Sequence, residues 1–176
     1  LYTNYDRAGP VYSGSLSDHS SQHQNGRRRS RSTTGMRLSI SGGDVGVGAA
    51  LPVEIRIFAG DAEVDACQLR LYFAPDLLRV VDDHGSEAQT ITPGEQLTQV
   101  IRNSVDNETG EIYFVAGAGL GAPAASGEIA VARFRVRAIS STEATTTLTI
   151  TDSTIGRAGM PYHVTEENGL IRIFTM

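Results

Sequence analysis

The side chains able to do chemistry are few and scattered. Four histidines stand at His19, His23, His84 and His163, and Cys67 is the one cysteine. No HExxH spacing and no GxSxG elbow occur, so local motifs assemble neither a zinc hydrolase helix nor an activated serine. All 15 basic residues are arginine, which removes Schiff-base chemistry and the phosphate-gripping lysine of a P-loop. Residues 117–121 read GAGLG, but no helix pattern follows to complete a phosphate cradle. A single thiol excludes an internal disulfide framework and a cysteine-based zinc finger. The expectation is a protein without catalytic residues or cofactor, not an enzyme.

Two clusters carry hard oxygen ligands. Asp82-Asp83-His84-Gly85 and Asp106-Asn107-Glu108 each sit in a turn-like stretch. Calcium takes about six to eight oxygens, so neither cluster suffices alone. Two loops meeting at one end of the molecule could supply them, making Asp82, Asp83, Asp106, Asn107 and Glu108 candidate calcium ligands. The same residue types are also the ordinary formers of tight turns. Asn107-Glu108-Thr109 is in addition a formal glycosylation sequon.

A third group suits recognition. Arg133, Arg135 and Arg137 fall at every second position, so in a strand they project to one side. Arg70, Arg172, Tyr72 and Tyr113 occupy outward positions of other alternating runs. Arginine and tyrosine are the types that dominate binding hot spots, and together these seven are the expected protein-binding face. The alternative is a solvated sheet face whose arginine stems cover apolar surface.

The elements that must position these residues are strands. Apolar and polar residues alternate over 37–40, 52–59, 64–73, 97–102, 111–116, 129–138, 145–151 and 170–174, with Gly, Pro, Asp and Asn clusters between them. In the clearest run Ala130, Ala132, Phe134 and Val136 alternate with Val131, Arg133, Arg135 and Arg137. Asp106 to Gly110, DNETG, reads as a hairpin with an Asx turn and a left-handed glycine. Helix signals are confined to single turns near Pro75 and Pro93. Short strands without intervening helices predict an all-β fold, an antiparallel β-sandwich with polar outer faces.

The first 35 residues of the 176 differ in kind. Residues 13–34 are Ser-, Thr-, Gln- and His-rich, with the basic cluster Arg27, Arg28, Arg29 and Arg31. Such a stretch buries too little to order itself. Tyr2, Tyr5, Val11 and Tyr12 are its potential anchors. Residues 1–36 hold five Arg and two Asp, a net of +3; residues 37–176 hold ten Arg and eighteen acids, a net of −8. The two sum to −5. A basic arm (1–35) on an acidic body (36–176) invites contact between the arm and a body, its own or a neighbour's. The acidic balance makes nucleic acid a poor partner, and no apolar run reaches the roughly 18 residues of a membrane span. A start at Leu1 rather than Met reads as a processed N-terminus.

Several segments resemble the cohesin module: VDACQLRLYFAPDLLRVV from Val64, DNETGEIYF from Asp106, GEIAVARFRV from Gly127, TLTITDSTI from Thr147 and the closing GLIRIF. The resemblance covers residues 36–174. Where that family carries Tyr-Asp-Pro, this chain has Phe73-Ala74-Pro75, so any role of that aspartate is absent. The resemblance implies a jelly roll of about nine strands, secreted or at the cell surface, that docks a dockerin module through one sheet face.

Three functions follow as expectations. The first is a self-assembling surface or filament subunit, in which the arm of one copy adds a donor strand to the sandwich of the next. The second is a cohesin-type receptor for a dockerin-like partner. The third, a carbohydrate-binding module, is disfavoured because the chain has no Trp for stacking sugars. All three are non-catalytic and extracellular; the arm favours the first.

Overall fold

Alternating side chains give each strand one face that must be covered, and here two sheets cover each other. The computed structural model describes residues 35–175. The expected arm contacts Tyr2, Tyr5, Val11, Tyr12, Arg27, Arg28, Arg29 and Arg31 lie outside the described residues. In chain order the strands are β1 (Met36–Ile40), β2 (Gly43–Gly46), β3 (Ala50–Val64), β4 (Ala66–Tyr72), β5 (Leu78–Val81), β6 (Thr92–Pro93), β7 (Gln99–Asp106), β8 (Glu111–Gly117), β9 (Ala125–Ala138), β10 (Ala144–Arg157), β11 (Met160–Pro161), β12 (Val164–Glu167) and β13 (Gly169–Phe174). One sheet runs β12-β1-β3-β9-β5, with β6 also on β9. The other runs β2-β13-β10-β4-β8-β7, with β11 also on β10. Among the described residues there is no helix, hence none long and apolar enough to cross a membrane.

The core is what the alternation demands. Leu38, Ile55, Ile57, Ile129 and Leu78 from the first sheet meet Leu69, Leu71, Ile112, Phe114 and Leu148 from the second, all essentially inaccessible to solvent. Each such side chain contributes about 1.5–3 kcal/mol by leaving water. Cys67 belongs to this core, and burial pushes its thiol pKa up to about 12. It is a small apolar filler, not a nucleophile.

Three features depart from the expected pattern. The sandwich is not wholly antiparallel: β1 pairs β12 in parallel and β2 pairs β13 in parallel. The two chain segments leave the first sheet side by side and enter the second together. Glycine makes that corner passable, because a Cβ at Gly42 would strike the backbone of Leu170 and one at Gly169 would strike Ser41. Asn168-Gly169 lies at this crossover between β12 and β13, and the Asn168 side-chain oxygen accepts the Ile150 N–H at 2.9 Å.

The second departure is in β9. Ile55 pairs Ala132 and Arg56 pairs Ala130, so Val131 is an extra residue, a β-bulge. The phase flips there: Val131 points into the core and Ala130 outward, against the expected alternation. The Val131 carbonyl accepts the Gly94 N–H at 2.8 Å, where any side chain would collide with Ala130. The third departure is in strand count and length. Five short strands, β2, β5, β6, β11 and β12, were not expected from alternation, and the 97–102 run extends from Gln99 to Asp106.

Candidate protein-docking face

The outer face of β10-β4-β8-β7 is a grid whose rows follow from the register. Thr154, Gln68, Val115 and Arg102 form one row; Asp152, Arg70, Tyr113 and Ser104 form the next; Tyr72, Glu111 and Asp106 lie below. The Tyr113 ring is its centre. The Arg70 guanidinium lies 4.5 Å from the ring centroid, and that of Arg102 also lies 4.5 Å away. Each such contact holds an arginine stem flat over the sheet and is worth about 0.5–1 kcal/mol when exposed. Arg70 also reaches Glu111 at 3.5 Å, and Gln68 donates to Asp152 at 3.3 Å.

Apolar groups border this polar centre. Tyr72 is 45% exposed and Ile101 is 71% exposed. Leu120, on the loop after β8, is fully exposed, and Val100, opposite the core residue Ala116, is exposed at the open edge of β7 rather than on this face. Ile101 protrudes because it is the extra residue of a second bulge, between Val100 paired with Ala116 and Arg102 paired with Val115. Rigid aromatic and arginine anchors beside apolar surface on an inflexible sheet have the composition of a protein interface.

Arg102, Ile101 and Leu120 were not among the expected site residues. The bulge breaks the alternation that would have marked Arg102 as outward.

The structure also divides the expected single face. Arg70, Tyr72 and Tyr113 lie on β4 and β8, with Arg172 on β13 farther across the same sheet. Arg133, Arg135 and Arg137 lie on β9, in the other sheet. Alternation tells outward from inward but not which layer a strand joins; β9 pairs β3, whereas β4 pairs β8 and β10. The three β9 arginines are not equivalent. Arg137 donates to the Gly85 carbonyl at 2.8 Å. Arg135 approaches Asp83 at 3.9 Å. Arg133 has no ion pair among the described residues.

Asp82 and Asp106, two of the candidate calcium ligands, each cap their own turn. Asp82 Oδ1 accepts the N–H groups of His84 and Ser86, each at 2.9 Å. Asp106 Oδ1 accepts those of Glu108 and Thr109, at 2.9 and 3.0 Å. Hydrogen bonds from Thr109, then Glu108, hold the Asp106 carboxyl below the usual aspartate range. Asn107 is buried; its amide bridges the Val80 N–H and the Val80 and Ala88 carbonyls. The sequon asparagine is therefore inaccessible to glycosylation in the folded chain. Among the described residues no three His, Cys, Asp or Glu side chains converge on a metal position.

The cohesin-domain family matches residues 36–173. No curated protein sequence matches the chain. Among solved structures, a non-cellulosomal cohesin from the archaeon Archaeoglobus fulgidus is similar at a TM-score of 0.62 and 18% identity, over 79% of this chain and 91% of that one. The cohesin in a type I cohesin–dockerin complex from Clostridium thermocellum has a TM-score of 0.67 at 14% identity, over 81% and 95% of the two chains. A cohesin from Acetivibrio cellulolyticus, in complex with a dockerin, has a TM-score of 0.67 at 15% identity, over 79% and 99%. At these identities the likeness carries the fold.

Proposed function

The chain belongs to the cohesin family, and from that premise we propose that it is a docking module whose β10-β4-β8-β7 face receives a dockerin-like protein. The module is non-catalytic and works outside the cell or at its surface. The observation that carries the reading is the Arg70–Tyr113–Arg102 stack, with Tyr72 and Ile101 exposed beside it on one rigid sheet. It supplies anchors whose rotamers are already restricted, so little side-chain entropy is lost on binding. Arg172, offset along the sheet, serves as a rim charge.

The test is a titration of the immobilised full chain with a panel of type I and type II dockerin modules. Submicromolar binding of at least one, retained after deletion of residues 1–35, is the expected result. Failure of the entire panel would overturn it.

One observation favours a second reading, assembly of copies through the arm. Among the described residues nothing pairs with the outer edge of β7 at Gln99, Val100, Ile101 and Arg102, whereas its other half is covered by Gln89 and Ile91. An open apolar edge accepts an added strand, and the +3 arm complements the −8 body of a neighbour. Tyr2, Tyr5, Val11 and Tyr12 would be the anchors, and Arg27, Arg28, Arg29 and Arg31 the charge contacts. Concentration-dependent polymers that vanish on deletion of residues 1–35 are its signature.

A further inference from the structure

The opposite sheet carries a groove that the docking reading does not use. Its floor is the outer surface of β3 and β9, with Pro52 and Glu54 beside Arg133 and Arg135. Its wall is the segment from Val81 to Thr92, which rises between β5 and β6. The cavity measures about 840 Å³, and a second of about 210 Å³ adjoins it across Glu54 and Arg133. The larger lies within the range of small-ligand sites, about 300–1,000 Å³.

The charges on this floor are incompletely answered. Glu54 stands opposite Arg133 in register, yet its carboxylate takes two N–H groups of Arg56, which Glu128 holds from the other side. Arg133 is left without an ion pair among the described residues. Arg135 has only Asp83 at 3.9 Å, a side chain 93% exposed, and its Nε is buried without an acceptor. Two guanidiniums at successive outward positions repel each other unless an anion lies between them.

The wall restricts what that anion can be. Asp82, Asp83 and Glu87 repel a chain of closely spaced negative charges, while their oxygens accept hydrogen bonds from hydroxyls. Thr90, Thr92 and Gln89 offer both donors and acceptors. The groove lining holds no exposed aromatic platform, so a neutral sugar gains little there. One carboxylate for the arginines, with several hydroxyls for the wall, is the pattern of an acidic sugar. We infer that this groove binds a uronate residue of a glycan, its carboxylate on Arg133 and Arg135 and its hydroxyls on the Val81–Thr92 wall.

The experiment is a calorimetric and NMR titration of the full chain with three probes: a trisaccharide with one glucuronate between two neutral sugars, the matched trisaccharide with glucose in place of the glucuronate, and tri-glutamate. The expected result is binding of the single-uronate trisaccharide at least tenfold tighter than either other probe, with shift changes centred on Thr90, Arg133 and Arg135. Arg133→Gln with Arg135→Gln should weaken it at least tenfold while the melting transition stays cooperative. Should the double variant unfold, Arg133→Gln alone and the wild-type shift map decide. Tighter binding of tri-glutamate would make this an acidic-peptide site. That outcome, equal binding of the neutral trimer, no uronate binding at millimolar concentration, or shifts on the β4–β8 face would each overturn the proposal.

Discussion

Arg70 and Tyr113 stand directly opposite each other across β4 and β8, and the guanidinium lies on the ring face at 4.5 Å. Arg102 covers the same ring, also at 4.5 Å. Tyr113→Leu keeps apolar bulk and removes both cation–π contacts. It should lower stability by about 1–2 kcal/mol, a fall of several degrees in Tm. Thermal unfolding checks this, and an unchanged Tm would mean the stack contributes nothing to the fold.

Asn107 ties the β7–β8 hairpin to β5 through three hydrogen bonds to the Val80 and Ala88 backbone. Asn107→Ala removes the side-chain partner of the Val80 N–H and of the Ala88 carbonyl, while the Val80 carbonyl keeps the Ala88 N–H at 2.9 Å. The expected loss is about 2–4 kcal/mol, read as a lower urea midpoint at constant m-value. Asn107→Asp should also be costly, because a carboxylate offers no N–H to the two carbonyls.

Asp106 sets a pH dependence. Its folded pKa lies below the unfolded value of about 3.9, so its contribution is fully present above that pH and is lost as pH falls through the folded pKa. Asp106→Asn keeps an acceptor that does not titrate in this range. Its stability relative to the native chain should therefore improve as pH falls below the unfolded aspartate value of about 3.9. Chemical denaturation at several pH values measures the difference; a gap independent of pH would contradict the assignment.

The β10–β11 hairpin turns on Ala158 and Gly159, with φ of 50° and 78°. Alanine is strained in the left-handed region. Ala158→Asn should stabilise by about 0.5–1 kcal/mol, provided the Ala158 N–H keeps its bond to Asp65 Oδ2 at 2.8 Å. Equilibrium unfolding tests the sign.

Legibility followed the physics of alternation. β4, β8 and β13 were readable because inward and outward residues alternate strictly, and Asp106 to Gly110 because turn geometry demands those residue types. The bulges at Val131 and Ile101 were not, because an extra residue reverses the phase without changing composition. β2, β5, β6, β11 and β12 were not, because strands of two to four residues owe their form to neighbours. Nor could period two tell that Arg70 and Arg133 belong to opposite layers, a fact set by long-range pairing alone.

The docking claim turns on which layer binds. With the tightest dockerin from the panel, the dissociation constant should be compared for the native chain, Tyr72→Ser with Arg102→Ser, and Arg133→Gln with Arg135→Gln. The β10-β4-β8-β7 assignment predicts a loss of about 30-fold or more for the first pair and less than about threefold for the second. Undiminished affinity in the first pair, or a loss confined to the second, would contradict it.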